Sequence, residues 1–245
     1  MKNIILCEGS TDYVLLQYFM RKVYGWEDKG KSNEKSNSRY FKSVRTMMKE
    51  SDSLSIRGCG GAKNLLPGFQ YMVEYNNLSS ESEAFDRIVI LTDRDDAGTE
   101  AEFSKNVEDI LNEGNVRIDT NVCNDCWVEC YYHNGHGKKM RFQLLLLVVP
   151  FEDTGAMETF LLEAVSKKDN YDAEIITKGN AFIDGVDSEK RYLSKRRYIT
   201  KAKFDVYFSV RTAATQFVER QDILKNVEWE EYAALQTGFA KLGDL

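Results

Sequence analysis

The stretch that most constrains this chain is Ile88 to Gly98, IVILTDRDDAG. An uninterrupted apolar run, Ile88-Val89-Ile90-Leu91, leads through Thr92 into Asp93-Arg94-Asp95-Asp96, then Ala97-Gly98 and a helix-forming tract. A short apolar run of this kind predicts a strand buried on both faces of a parallel sheet. Ligands of open α/β sheets lie beyond the carboxyl ends of such strands, where this sequence places its acids. Three carboxylates within four residues repel one another unless solvent or a cation relieves them, and hard divalent cations take oxygen ligands of this sort. Magnesium is the first expectation.

The rest of the chain reads as alternating strands and helices. Asn3 to Cys7 predicts a first strand, and Glu8-Gly9-Ser10-Thr11-Asp12 a tight turn into a helix whose Leu15, Leu16, Phe19, Met20 and Val23 recur at helical spacing. Residues 27–38, rich in Lys, Ser, Asn and Gly, predict a mobile polar loop. Tyr40 to Met48 and Ser53 to Arg57 predict strands, the second turned by Gly58-Cys59-Gly60-Gly61 into a helix from about Lys63 to Tyr75. That glycine turn lacks the Gly-Lys-Ser/Thr of a Walker A loop and the last glycine of GxGxxG, so it reads as a tight strand-to-helix turn, with a phosphate-touching helix start as the alternative. Val122 to His133 and Met140 to Val149 predict a hairpin turned at Asn134-Gly135-His136-Gly137. Helices are expected from Ala97 to Asn112, Ala156 to Val165, Lys203 to Arg220 and Trp229 to Leu242.

Glu8-Gly9-x-x-Asp12 repeats the situation of the Asp93 stretch, acids at the end of a parallel strand before a helix. Two such strand ends can gather Glu8, Asp12, Asp93 and Asp95 around one cation. A calcium loop is excluded, because the fifth and twelfth positions counted from Asp93 hold Ala97 and Ser104 where an EF-hand needs an oxygen ligand and a glutamate.

Glu8-Gly9 after one strand, with Asp93-Arg94-Asp95-Asp96-Ala97-Gly98 after a later one, resembles the TOPRIM signature shared by primases, type IA and type II topoisomerases, small RNA-maturing nucleases and OLD-family nucleases. The resemblance spans roughly residues 3 to 165 and implies a compact sheet of about four strands flanked by helices; with the reading of the chain above, the expectation is an α/β fold, a TOPRIM-like mostly parallel sheet flanked by helices, with a β-hairpin insertion (117–149) and a mostly helical C-terminal extension (166–245) packed on a catalytic core (1–165). It is nearest the stand-alone OLD type, whose pattern adds an acid four residues after the glutamate, matched by Asp12, and a later glutamate opening a helix, matched by Glu158. A downstream lysine near the metals falls on Lys201 or Lys203. The resemblance implies a Mg²⁺- or Mn²⁺-dependent endonuclease with two ions, Glu8, Asp12 and Asp93 at the first and Asp95 and Glu158 at the second; Glu8 is alternatively a general acid or base. One cation of such a pair, about 4 Å from the other, activates water while its neighbour holds the leaving oxygen. A separate ATPase partner and a role in phage defence follow from the same resemblance, since the chain has no P-loop. The alternative is a non-catalytic regulatory subunit that binds a nucleotide or nucleic acid on the same fold. Primase and topoisomerase activities each need a further domain for which the chain has little room.

Nucleic acid, DNA ahead of RNA, is the expected partner, but a net charge of −6 denies it a global basic field. The local patch that suits it runs from Lys190 to Arg211: Lys190, Arg191, Lys195, Arg196, Arg197, Lys201, Lys203 and Arg211, with Asp205 the only acid and Tyr192, Tyr198, Phe204 and Tyr207 interleaved. A solvated basic helix face is the plain alternative. Cys123-x2-Cys126-x3-Cys130 with His133 and His136 has zinc-type ligands, yet a single CxxC on an alternating strand falls short of a zinc site and reads as packing. Five cysteines, and a first apolar run that stops at Glu8, lead to the expectation of a cytoplasmic chain with reduced thiols and no membrane span.

Overall fold

The computed structural model describes residues 1–29, 39–214 and 220–245. Its sheet has eight strands among these residues: β1 (Lys2–Cys7), β2 (Glu27–Asp28), β3 (Ser43–Lys49), β4 (Asp52–Gly58), β5 (Arg87–Asp93), β6 (Arg117–Ile118), β7 (Cys126–His133) and β8 (Lys139–Val149). They lie in the order β2-β3-β4-β1-β5-β8-β7-β6. The central four, β4-β1-β5-β8, are parallel, with Ile5 opposite both Ile56 and Val89, and Val89 opposite Leu145. Both flanks are antiparallel hairpins.

The sheet is therefore mixed rather than mostly parallel. The hairpin turned at residues 134–137 forms as expected, with Cys130 opposite Phe142, but it is no insertion outside the sheet. Its second strand, β8, is the fourth parallel strand, because Leu144 to Val149 is apolar on both faces and both faces are covered. Residues 27 and 28 extend the opposite edge as β2, pairing with Met47 and Met48. Most of the polar loop expected at 27–38 lies outside the described residues.

Alternation explains the layers. Ile5, Cys7, Val89, Leu91, Leu145 and Leu147 face one side and pack in one core cluster; Ile4, Leu6, Ile88, Ile90, Leu144 and Leu146 face the other and pack in a second. All these side chains are essentially inaccessible, each buried aliphatic worth about 1.5–3 kcal/mol. A one-residue slip would exchange the two sets, so register is strongly held. The first face carries α1 (Ser10–Lys22), α4 (Met157–Lys168) and α6 (Arg196–Arg211), through Leu15, Leu16 and Phe19, Leu161 and Val165, and Phe204 and Phe208. The second carries α2 (Ala62–Leu78) and α3 (Thr99–Glu113), through Leu65, Phe69, Val107 and Leu111.

A helix absent from the sequence expectation, α5 (Asn170–Val186), is capped by the Asp169 carboxylate, which accepts the N–H groups of Tyr171 and Asp172 at 2.7 and 3.2 Å. The helix α6 begins at Arg196, seven residues before the expected start, and residues 215–219 of the expected span lie outside the described residues. After α7 (Arg220–Asn226), the helix expected over Trp229 to Leu242 is instead a 3₁₀ turn, the short α8 (Ala233–Gly238) and a second 3₁₀ turn. The chain breaks at Tyr232, whose backbone is extended, and Gly238 packs so tightly that a Cβ there would stand 2.5 Å from the Phe151 ring. Among the described residues no helix is long and apolar enough to cross a membrane.

Candidate functional site

The route of the chain opens a crevice at one place on the carboxyl edge. From β1 the chain turns into α1 on the first face and reaches β4 on one side; from β4 it crosses through α2 to β5 on the other side and turns into α3 on the second face. The loops after the adjacent strands β1 and β5 thus diverge to opposite faces, and a crevice of this kind is where open α/β sheets hold ligands. Glu8 directly follows β1 and Asp93 ends β5.

Asp93 has the parity of Leu91 and points to the face of α1, α4 and α6. Its Oδ1 accepts the Met157 N–H at 3.0 Å, at the start of α4. Burial raises its pKa well above the usual carboxylate value, and the charges of Asp12, Glu8 and Glu158 raise it further. Asp12, in the first turn of α1, is buried and accepts the Gly9 N–H at 2.7 Å. Burial pushes it up to about 7, opposed by the Gly9 N–H, assisted by Glu158 and Glu8, and opposed again by the Lys201 ammonium. Glu158, buried on the first turn of α4, accepts the Thr11 hydroxyl at 2.9 Å. Glu8 is half-buried; burial and then the charge of Asp95 raise its pKa, against the backbone N–H groups of Asp93 and Ala62 and the Thr92 hydroxyl, which stands 3.4 Å from its Oε2.

The glycine turn contributes here. Gly60 and Gly61 adopt φ of 74° and 129°, a region open to glycine, and they aim the start of α2 at Glu8. The Gly61 N–H bonds the Glu8 carbonyl at 2.8 Å, and the Ala62 N–H lies near enough to the Glu8 carboxylate to lower its pKa. The anion at this helix start is the chain's own glutamate.

Of the residues named from sequence, Glu8, Asp12, Asp93 and Glu158 meet in this crevice, and the Lys201 ammonium is near enough to lower the pKa of Asp12. Asp95 stands at the rim, its side chain 70% exposed, beside Glu8 rather than Glu158, with the Arg196 guanidinium 4.0 Å away. Lys203 points elsewhere, into an ion pair with Asp184 at 2.8 Å. Lys195 and Arg197 lie on the outer surface against the Tyr198 ring. Asp96 accepts the Gly98 N–H at 2.8 Å and the Thr99 hydroxyl at 3.2 Å at the start of α3. Among the described residues, no group of three or more His, Cys, Asp or Glu side chains is arranged to hold a metal ion. The carboxylates are coupled through space while their oxygens are engaged by Gly9, Thr11 and Met157. Cys123 and Cys126 are neighbours, the Cys123 thiol pushed up to about 11 by desolvation and then by Cys126, whereas Cys130 is buried with its thiol on the Val128 carbonyl.

Sequence reasoning passed over Arg94. Buried, it donates to the carbonyls of Pro150 and Phe151 at 2.7 and 2.8 Å and to Glu100 at 2.8 Å, while its own carbonyl receives the Gly155 N–H at 2.8 Å. It ties β5 to the loop that launches α4, and so sets where Glu158 stands. An arginine within an acid-rich turn at a strand end was the available signal.

A family model described as a protein of unknown function, DUF3226, matches residues 2–232. The chain belongs to that family. No curated protein matches this DUF3226 chain. Among solved structures it is similar to a hypothetical protein from Pyrococcus horikoshii OT3, 14% identical over 98% of this chain and 99% of that one, with a TM-score of 0.49. Matches to a lactoylglutathione lyase from Agrobacterium tumefaciens and to a glyoxylase/bleomycin resistance protein/dioxygenase domain from Frankia sp. EAN1pec have TM-scores of 0.17, at 10% and 11% identity over 59% and 58% of the DUF3226 chain and 92% and 88% of those chains.

Proposed function

We propose that the chain is a TOPRIM-type nuclease of the stand-alone OLD kind, a divalent-cation-dependent hydrolase of phosphodiester bonds in nucleic acid, DNA ahead of RNA. One observation carries this reading: Glu8, Asp12, Asp93 and Glu158, from three stretches far apart in sequence, share one crevice, where burial and their crowded charges raise the proton affinity of Asp12 and Asp93. Like charges crowded at low solvent exposure are stabilised by protonation or by a cation. The donor set is all hard oxygen, which fits Mg²⁺ or Mn²⁺. Glu8, Asp12, Asp93 and Glu158 would hold such ions, with Asp95 at the rim. A bound divalent cation supplies Lewis-acid activation of water and neutralises phosphate charge.

The chain's own groups have separate tasks. Lys201, beside Asp12, is placed to balance charge on a phosphate at the crevice. Arg196, near Asp95, lies where the flanking backbone would pass. Glu8, half-buried with a raised pKa, is suited to exchange a proton with water. A separate ATPase would act in trans.

The engaged carboxylate oxygens favour a second reading, a regulatory module of the same fold that binds a nucleotide or nucleic acid without cleaving it. Incubation of the purified chain with plasmid and Mg²⁺ or Mn²⁺ separates the two. Nicking by wild type that disappears in Glu8→Ala and Asp93→Ala supports the nuclease, whereas equal activity in all three sinks it. Calorimetric ion or ligand uptake with no turnover supports the module.

A further inference from the structure

We infer that the surface from Asp187 to Tyr198 is a stacking platform for single-stranded nucleic acid leading into the acid crevice. This inference rests on the nucleic-acid reading above and narrows its substrate class. From Lys190 to Lys203 the chain carries seven Lys or Arg and no Asp or Glu, within a chain of net charge −6. A solvated basic stretch has no need of a defined shape, but this one has it. The Asp187 carboxylate gathers the N–H groups of Arg191, Tyr192 and Leu193 at 3.1, 2.7 and 2.7 Å, and the Asp187 carbonyl receives the Lys190 N–H at 2.9 Å. Lys190 accordingly takes a φ of 52°, uncommon outside glycine.

The loop so tied presents Tyr192, 70% exposed, with the Arg191 guanidinium 5.3 Å from its ring centroid. A few residues on, Tyr198 stands between the Lys195 ammonium at 5.9 Å and the Arg197 guanidinium at 5.1 Å. Rings flanked by cations pair a surface for base stacking with charge for phosphate, the combination by which single strands are held without sequence readout. A duplex keeps its base faces stacked inside and offers only its backbone to such a surface. The platform also leads to the site. In the helical turn that holds Tyr198, Arg196 donates to the Arg94 carbonyl at 3.3 Å and stands 4.0 Å from Asp95. Lys201, whose charge reaches Asp12, follows about 7.5 Å along the α6 axis at the usual rise per residue.

The test is fluorescence anisotropy of the full chain in EDTA, which stops cation-dependent cleavage, with labelled oligo(dT), oligo(U) and a DNA duplex of equal length. Single strands should bind roughly tenfold or more tighter than the duplex, and Tyr192→Ala and Tyr198→Ala should each weaken binding about fivefold or more, while Tyr192→Trp retains it. Equal affinity for strand and duplex, strand binding unchanged in the double alanine variant, or polyglutamate binding as well as oligo(dT) would each overturn the platform. Because no hydrolysis is read, a chain that binds strands in this way but never cleaves refutes the nuclease and leaves the platform. One that nicks plasmid with no dependence on Tyr192 and Tyr198 does the reverse.

Discussion

The turns after β1 and β5 start from similar sequences and treat their acids differently. After β1, Glu8 and Asp12 both turn inward, one held by the starts of α2 and the Asp93 backbone, the other by Gly9. After β5, only Asp93 turns inward; Asp95 stays at the rim, Asp96 holds the Gly98 N–H in the turn before α3, and the residue buried beside Asp93 in the chain is the cation Arg94. The difference lies in what covers each turn. The β1 turn feeds a helix on the face where α4 and α6 also lie, so its acids meet a roof. The β5 turn feeds a helix on the opposite face, so its later acids meet solvent, and Arg94 takes up the carbonyls of the loop bridging to α4. A strand end alone does not make an acid part of a site; a third element closing over it does.

The largest expected effect tests that distinction. Asp93→Asn should lower cleavage by about 10³-fold, the scale of losing a group that organises transition-state charge, and Asp95→Asn only about tenfold. Equal losses would place rim and interior acids on the same footing. Next, Arg94→Met should cost about 2–4 kcal/mol in urea unfolding, since it leaves buried carbonyls without donors; a cost below about 0.5 kcal/mol, the ordinary scale of surface changes, would mean that the loop before α4 is held by something else. Thermal melts against pH come third. Asp12 titrates at about 7 when folded against an ordinary 3.8, so the folded state holds its proton more tightly, and stability should fall as pH rises across that window and level off above it. Asp12→Asn should flatten the curve, and saturating Mg²⁺ should raise the melting temperature most at the alkaline end; a metal-free curve that rises over the window would contradict the buried, repelling cluster. Lys201→Met should then lower cleavage about tenfold while Lys203→Met, whose partner is Asp184, leaves it unchanged; the opposite ranking would move the catalytic cation to the other lysine. Smallest, Asp96→Ala should cost about 1 kcal/mol, because the turn into α3 loses the acceptor of the Gly98 N–H and the Thr99 hydroxyl, and leave the cleavage rate alone.

Much of this architecture was legible because apolar runs and acids occupy adjoining positions. Ile4 to Cys7 and Ile88 to Leu91 declared buried parallel strands, and Glu8, Asp12 and Asp93 followed from where those strands end. Glu158 and Lys201 were legible only through the family resemblance, because nothing local distinguishes a helix-start acid that faces a crevice from one that faces water. Lys201 and Lys203 could not be separated, since two residues apart on a helix means different faces and the choice depends on where α5 lies. That helix went unread although Asp169 is a capping residue and Ile176, Gly179 and Ile183 recur at helical spacing; exposed Tyr171, Phe182 and Val186 blur its apolar stripe. The sheet's mixed character was hidden because a hairpin motif says that two strands pair, and not that one of them also pairs with β5.

The placement of β1 and β5 has a consequence for motion. Each has a hydrogen-bonded strand on both sides and a helical layer on both faces, while the sheet's edges are the two-residue strands β2 and β6. Opening β1 or β5 requires unpairing at least two other strands first, so their amides should exchange with deuterium only through near-global unfolding, whereas the segments bearing Arg196 and Tyr192 are free to exchange through local excursions. Two of the crevice's carboxylates are thereby anchored to strands that open only with the whole fold, and the groups that would greet an incoming strand belong to segments that can open locally.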